Sequence, residues 1–228
     1  MRALLISNSG RPFLEHCRLA MAEFATTRRR LGFIGAATLG DERLYCERVR
    51  EALVPAGFEV EHVYWREEPL RALEAVEVLF VGGGNTYALL KRLRESGLLA
   101  AIAERVRQGA PYIGSSAGAN VAGPTILTTN DWNVVGLDRF ESLGLVPFNI
   151  NPHYLEADPL LAAGSETRDD RIREYHAVNA NPVFAIEEQT MIRVESAGAT
   201  VVGRGRVKVF RRGADPSWFS AGSRLPCP

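Results

Sequence analysis

Cysteine is scarce and unpatterned: Cys17, Cys46 and Cys227 are the three in 228 residues. They are odd in number and show no C-x-x-C spacing, which argues against a disulfide framework or a cysteine-built zinc site. Thiols used this way suit a reducing cytoplasm, where the protein is expected to reside. A surplus of one charge is missing too. Lys+Arg and Asp+Glu both number 27, so there is no basic excess to hold a polyanion, and nucleic acid is not an expected partner. Long apolar runs are also absent. Met1 to Asn8 carries one positive charge and an apolar run far too short for a signal peptide. No stretch approaches the ~18 apolar residues of a membrane span, so no membrane partner is expected. What remains is 46% hydrophobic and 24% charged, enough for one sizeable α/β domain, expected over residues 1–212 with an irregular tail over 213–228.

Apolar segments with strand and helix periods alternate along the first half. Arg2 to Ser7 is an apolar strand, and Pro12 to Arg29 is helix-compatible, with Leu14, Cys17, Met21 and Phe24 three to four residues apart. Leu31 to Thr38 is a second strand. Asp41 is the expected N-cap of a helix to Leu53, ended by Pro55 and Gly57. Phe58 to Trp65 alternates as an edge strand would. A short helix near Leu70 to Ala75 precedes Val76 to Val81, continuous and apolar, as in a strand buried on both faces. Helices follow over Tyr87 to Arg94 and Leu98 to Gln108. The pattern predicts an α/β fold with a doubly wound, mostly parallel sheet, helices on both faces and sites at the strands' carboxyl ends. Beyond Gly123 the units shorten. A helix is expected over Glu166 to His176 and a strand over Val183 to Glu187; Thr190 to Glu195 and Thr200 to Phe210, turning at Ala197-Gly198, form a small β extension.

Two carboxyl ends carry chemistry. Gly114-Ser115-Ser116-Ala117-Gly118 fits the G-x-S-x-G pattern, in which a strained strand-to-helix turn pushes the central serine outward; an ordinary small-residue turn has the same composition. Gly82-Gly83-Gly84 bares backbone N–H groups that could cradle phosphate, form half of an oxyanion hole, or simply turn the chain. It lacks both G-x-x-x-x-G-K-[ST] and G-x-G-x-x-G spacing. A serine nucleophile needs a base and an orienting acid. Of the four histidines, His153 stands out because Pro152 stiffens its approach, whereas packing accounts for His16 and His62 and a helix end for His176. Glu187 and Glu188 close a strand. The order serine, histidine, acid differs from that of the α/β-hydrolases.

Taken together, Val81 to Thr86, Gly114 to Asn120, Thr128 to Asp131, Ile150 to His153 and Glu166-Thr167-Arg168 resemble the peptidase E family of α-aspartyl dipeptidases. The likeness runs from the first strand to about Phe210. It implies a fold similar to class I glutamine amidotransferases with serine replacing their cysteine, no cofactor or metal, and hydrolysis of Asp-Xaa dipeptides through an acyl-enzyme. It implies Ser116 as nucleophile, His153 as base and Glu188 as acid, with Glu187 the alternative; Gly84 and Ala117 as oxyanion donors; and Arg168 as the partner of the substrate's aspartate side chain. Asn85, Thr129, Asn130 and Asp131 are candidates to line the site and bind the substrate's amine, and capping or turn roles account for them equally well. Ser115 departs from the aromatic residue of familiar members, with an expected effect on pocket shape. A cyanophycinase-like hydrolase of β-aspartyl bonds and a non-catalytic binding module remain as alternatives, and a homodimer stays open.

Overall fold

The computed structural model describes residues 1–64, 67–158 and 164–226; Trp65, the expected end of an edge strand, and Cys227 lie outside them. In chain order the elements are β1 (Ala3–Ile6), α1 (Arg18–Ala25), β2 (Arg30–Ile34), α2 (Glu42–Leu53), β3 (Glu59–His62), α3 (Pro69–Glu74), β4 (Val78–Val81), α4 (Thr86–Glu95), α5 (Leu98–Arg107), β5 (Tyr112–Ser115) and α6 (Ala117–Asn120). After a loop follow β6 (Asn149–Tyr154), α7 (Arg168–Val178), β7 (Val183–Glu187), β8 (Thr190–Glu195), β9 (Gly198–Gly203), β10 (Arg206–Arg211), β11 (Ala214–Ser220) and β12 (Arg224–Leu225).

Two sheets result. The larger has the order β12-β9-β8-β1-β5-β4-β2-β3, parallel from β1 to β3 and antiparallel beyond β1. Alternation along its central strands feeds two cores. Ala3, Leu5, Leu79 and Val81 face α3, α4 and α5, while Leu4, Ile6, Val78 and Phe80 face α1 and α2. All four residues of β4 are buried, as its continuous apolar run predicts, and β3 lies at the edge. Asp41 caps α2, accepting from the backbone N–H groups of Arg43 and Leu44.

The smaller sheet, ordered β11-β10-β7-β6, packs Ile150, Phe184, Ile186, Val207 and Val209 into the core shared with α4, α5 and α6. Its other face receives Ile172 and Tyr175 of α7. Three expectations are corrected. The first helix starts only at Arg18, because residues before it form turns and Leu14 adopts φ 57°. The segment Thr200 to Phe210 is two strands in different sheets: Gly203, at φ 113°, packs so closely that a Cβ would lie 2.4 Å from the Gln189 carbonyl, and the chain turns there. The stretch from Gly213 forms β11 and β12. Its Pro216 is tolerated because β11 is an edge strand whose register against β10 breaks between Val209 and Arg211. Among the described residues no helix is long and apolar enough to cross a membrane.

Candidate active site

β4 and β5 are paired neighbours, Val81 opposite Gly114, so the triple glycine and Ser116 emerge side by side at the same edge of the sheet. Ser116 sits at φ 53°, ψ −110° between β5 and α6, and its N–H donates to the Ile6 carbonyl at 2.9 Å. The flanking glycines are steric requirements. A Cβ on Gly114 would lie 2.3 Å from the Gly118 carbonyl oxygen, and one on Gly118 would lie 2.1 Å from that of Val81. Both obstacles are backbone and cannot rotate away. Gly118→Ala is therefore expected to destabilise the fold by about 3 kcal/mol or more, read as a lowered denaturation midpoint.

His153 arrives from β6. Its Nε2 is 2.7 Å from Ser116 Oγ, and its Nδ1 is 2.6 Å from Glu188 Oε1. With Nδ1–H donating to the carboxylate, Nε2 is left as the acceptor that the serine hydroxyl needs. Glu187, the alternative acid, turns the other way: its carboxylate accepts from the Arg206 backbone N–H at 2.7 Å and from its guanidinium at 2.8 Å. His153 adopts φ 55°, and the β6–β7 register breaks between Asn151 and Tyr154. Gln189, next to Glu188, has φ 58°. Unfavourable backbone thus gathers where Ser116, His153 and Glu188 meet, as it does where surrounding contacts over-determine a site.

Residues to which the sequence assigned no role hold this geometry. Ser7, fully buried at the end of β1, accepts from the His153 N–H at 2.8 Å and donates to the Ile186 carbonyl at 2.8 Å. Asn8 Oδ1 accepts from Gln189 N–H at 2.9 Å, beside Glu188. Asn120 and Thr128 both donate to the Ile150 carbonyl, fixing β6. The Tyr45 hydroxyl accepts from Gly83 N–H at 2.9 Å and shapes the glycine loop. The signals available were the polarity of Ser7, at the end of an otherwise apolar strand, and the places of Asn120 and Thr128 inside the motifs Gly114 to Asn120 and Thr128 to Asp131.

Gly84 has φ 138° and a would-be Cβ 2.4 Å from the Ala37 carbonyl, a position only glycine fills. Its N–H and that of Ala117 make no hydrogen bond among the described residues. Ser115 is fully buried and shares a 3.1 Å hydrogen bond with Ser9, so it faces β1's end rather than open space. Of the other histidines, His62 stacks on Phe33, His176 bonds the Asn181 carbonyl, and burial lowers the pKa of His16.

The remaining candidates divide into two groups. Asn85 caps α4 through Ala88 N–H, and Asp131 Oδ2 accepts from Thr86 N–H at 2.7 Å and Thr86 Oγ1 at 2.6 Å. Thr129 joins them through Thr86 Oγ1 at 3.0 Å, so these three stand where the glycine loop enters α4. Asn130 instead joins Arg168. Its Oδ1 accepts from Arg168 Nη1 and from Asn151 Nδ2, and its own Nδ2 donates to the Pro152 carbonyl at 2.8 Å. Arg168, Asn130, Thr129 and Asn151 line one small cavity. Burial there lowers the Arg168 pKa, with Arg171 adding to the effect.

A serine, a histidine and a carboxylate in hydrogen-bonded series at the end of a parallel sheet is the arrangement of serine hydrolases. Comparison with known proteins narrows the class: the chain belongs to peptidase family S51, whose family model matches residues 3–202, and it is a serine-type peptidase. It is 43% identical to peptidase E of Streptomyces coelicolor over 99% of this chain and 93% of that one. It is 42% identical to peptidase E of Salmonella typhimurium strain LT2 over 99% and 100%. A provisionally named peptidase E protein from Listeria monocytogenes EGD-e shares the fold with a TM-score of 0.70 and 25% identity, over 90% of this chain and 98% of that one.

Proposed function

We propose that the chain hydrolyses Asp-Xaa dipeptides bearing a free N-terminal aspartate, through an ester on Ser116. The observation that carries this reading is the Ser116–His153–Glu188 series with the Arg168 guanidinium in a cavity bordered by Asn151 of the same strand. Ser116 Oγ attacks the aspartyl carbonyl carbon as His153 Nε2 takes its proton, and the Gly84 and Ala117 amides donate to the oxyanion. Collapse breaks the C–N bond while His153 returns the proton to the leaving amine. Water, deprotonated by His153, then attacks the ester and restores the serine. Glu188 holds the imidazole tautomer and balances the imidazolium.

Arg168 supplies specificity. Its planar fork matches the substrate's β-carboxylate, and partial desolvation strengthens that attraction. Asn130 orients the guanidinium, and Asp131, with one carboxylate oxygen committed to Thr86, brings negative charge near the glycine loop for the substrate's ammonium. Arg168→Ala is expected to reduce the preference for Asp-Leu over Asn-Leu by about 10²-fold, because truncating a buried charge pair typically costs 2 kcal/mol or more. An unchanged preference would remove Arg168 from the pocket. Rates on α- and β-linked Asp-Arg separate this reading from hydrolysis of β-aspartyl bonds.

A further inference from the structure

The two sides of this site come from successive elements: His153 from β6 and Arg168 from the first turn of α7. Their neighbours in sequence, Tyr154 and Asp169, meet on the face of the small sheet that α7 covers. The Tyr154 hydroxyl donates to Asp169 Oδ1 at 2.6 Å. Lys208 of β10, its side chain only 7% exposed, completes the cluster. Its Nζ donates to Asp169 Oδ2 at 2.9 Å, Tyr154 Oη at 3.1 Å and Glu156 Oε1 at 3.2 Å, and lies 5.0 Å from the centre of the Trp218 ring. Burial and Asp169 raise the Tyr154 pKa, keeping the phenol a donor.

Stability alone is a weak reason for this lysine. A buried ammonium carries a desolvation cost that its partners roughly offset, and an apolar side chain of similar volume often serves as well. Asp169, in the first turn of α7, is already favoured there by the helix dipole. What the cluster adds is a fixed separation between β6 and the start of α7. A second tie runs from Arg168 through Asn130 to the Pro152 carbonyl. Residues 168 and 169 are thus linked to 152 and 154, on either side of His153.

We propose that Lys208 and Asp169 are positioning residues that set the distance of the Arg168 guanidinium from the His153–Ser116 pair, and so the fit of an acidic substrate side chain. This inference rests on Arg168 meeting the substrate's carboxylate. A group displaced by about 1 Å can lose as much as ~10²-fold in effectiveness. Lys208, in contact with neither substrate nor reacting atoms, therefore acts on binding more than on the chemical step.

The test compares Lys208→Met with Arg168→Ala in the full chain, measuring kcat and KM for Asp-Leu and Asn-Leu and a thermal melt. Lys208→Met is expected to raise KM for Asp-Leu about tenfold and cut the preference over Asn-Leu about tenfold, with kcat within about threefold. If it melts cooperatively with KM and preference unchanged, whatever the shift in Tm, the lysine is merely structural and the proposal falls. Should Lys208→Met fail to fold, Tyr154→Phe removes one hydroxyl from the same cluster. It is expected to raise KM severalfold in the same assay, and an unchanged KM overturns the proposal. If Arg168→Ala loses its aspartate preference while the cluster variants keep theirs, only the positioning inference fails. If Arg168→Ala keeps it, the reading of Arg168 fails and takes this inference with it.

Discussion

Ser116→Ala is expected to lower kcat for Asp-Leu by at least ~10⁴-fold with little change in KM. The expectation follows from geometry. The hydroxyl is 2.7 Å from the only imidazole nitrogen positioned among the described residues to take its proton, and alanine leaves that imidazole without a nucleophile to activate. Loss of a single oxyanion donor typically costs ~10²- to 10³-fold, whereas loss of the nucleophile removes the covalent route altogether, leaving only oxyanion stabilisation and binding. The substitution should not unfold the elbow. Its strain is held by Gly114, Gly118 and the Ser116 N–H bond to Ile6, none of which involves the hydroxyl. Initial rates on Asp-Leu together with a thermal melt check both halves. Activity within ~10-fold of wild type in a folded variant would remove the acyl-enzyme from the scheme. Reaction with a serine-directed fluorophosphonate, lost in the same variant, reports the nucleophile without reference to any peptide.

Local pattern carried the parallel half of the fold. The apolar run of β4, the Asp41 cap of α2 and the small residues of the elbow each lie within one short stretch of chain, and such stretches leave periodic or compositional marks. The smaller sheet left fewer. Thr200 to Phe210 has β-favouring runs on both sides of Gly203-Arg204-Gly205 and reads as one strand, yet the two runs pair with different sheets. The division depends on Gly203 meeting Gln189 and on the Gly205 N–H finding Thr190 Oγ1, contacts that local composition does not encode. The same holds at the site. Ser116 and His153 could be singled out because each belongs to a short motif, and Glu188 only as one of a doublet closing a strand, while Ser7 clamps His153 across 146 residues of chain and belongs to none. Asn130 illustrates a third case: its place in the motif was legible, but its side chain turned to Arg168 and Pro152, a partnership visible only once β6 and α7 are packed together.

The doublet at the end of β7 gives the second large effect and its own control. Glu188→Gln is expected to lower kcat by ~10²- to 10³-fold, less than the ~10⁴-fold typical of a buried orienting acid. The Glu188 side chain is 50% exposed, so water can partly replace its support of the imidazolium. The amide also has no preference for the Nδ1–H tautomer, so part of the population presents His153 Nε2 as a donor, unable to take the serine proton. Glu187→Gln removes the same charge one residue away. Its carboxylate is engaged by the Arg206 backbone and guanidinium, with Arg206 in turn 3.8 Å from the centre of the Trp218 ring. That change is expected to leave kcat within about twofold and to lower Tm by a few degrees, since breaking a partly buried charged hydrogen bond costs ~1 to 3 kcal/mol. Because Glu187 ends β7 and bonds Arg206 while Glu188, in the turn beyond it, bonds His153, the pair of variants separates orientation of His153 from general loss of negative charge at this edge. Equal losses of kcat in both would mean that the 2.6 Å contact between Glu188 and His153 is not what sustains the reaction.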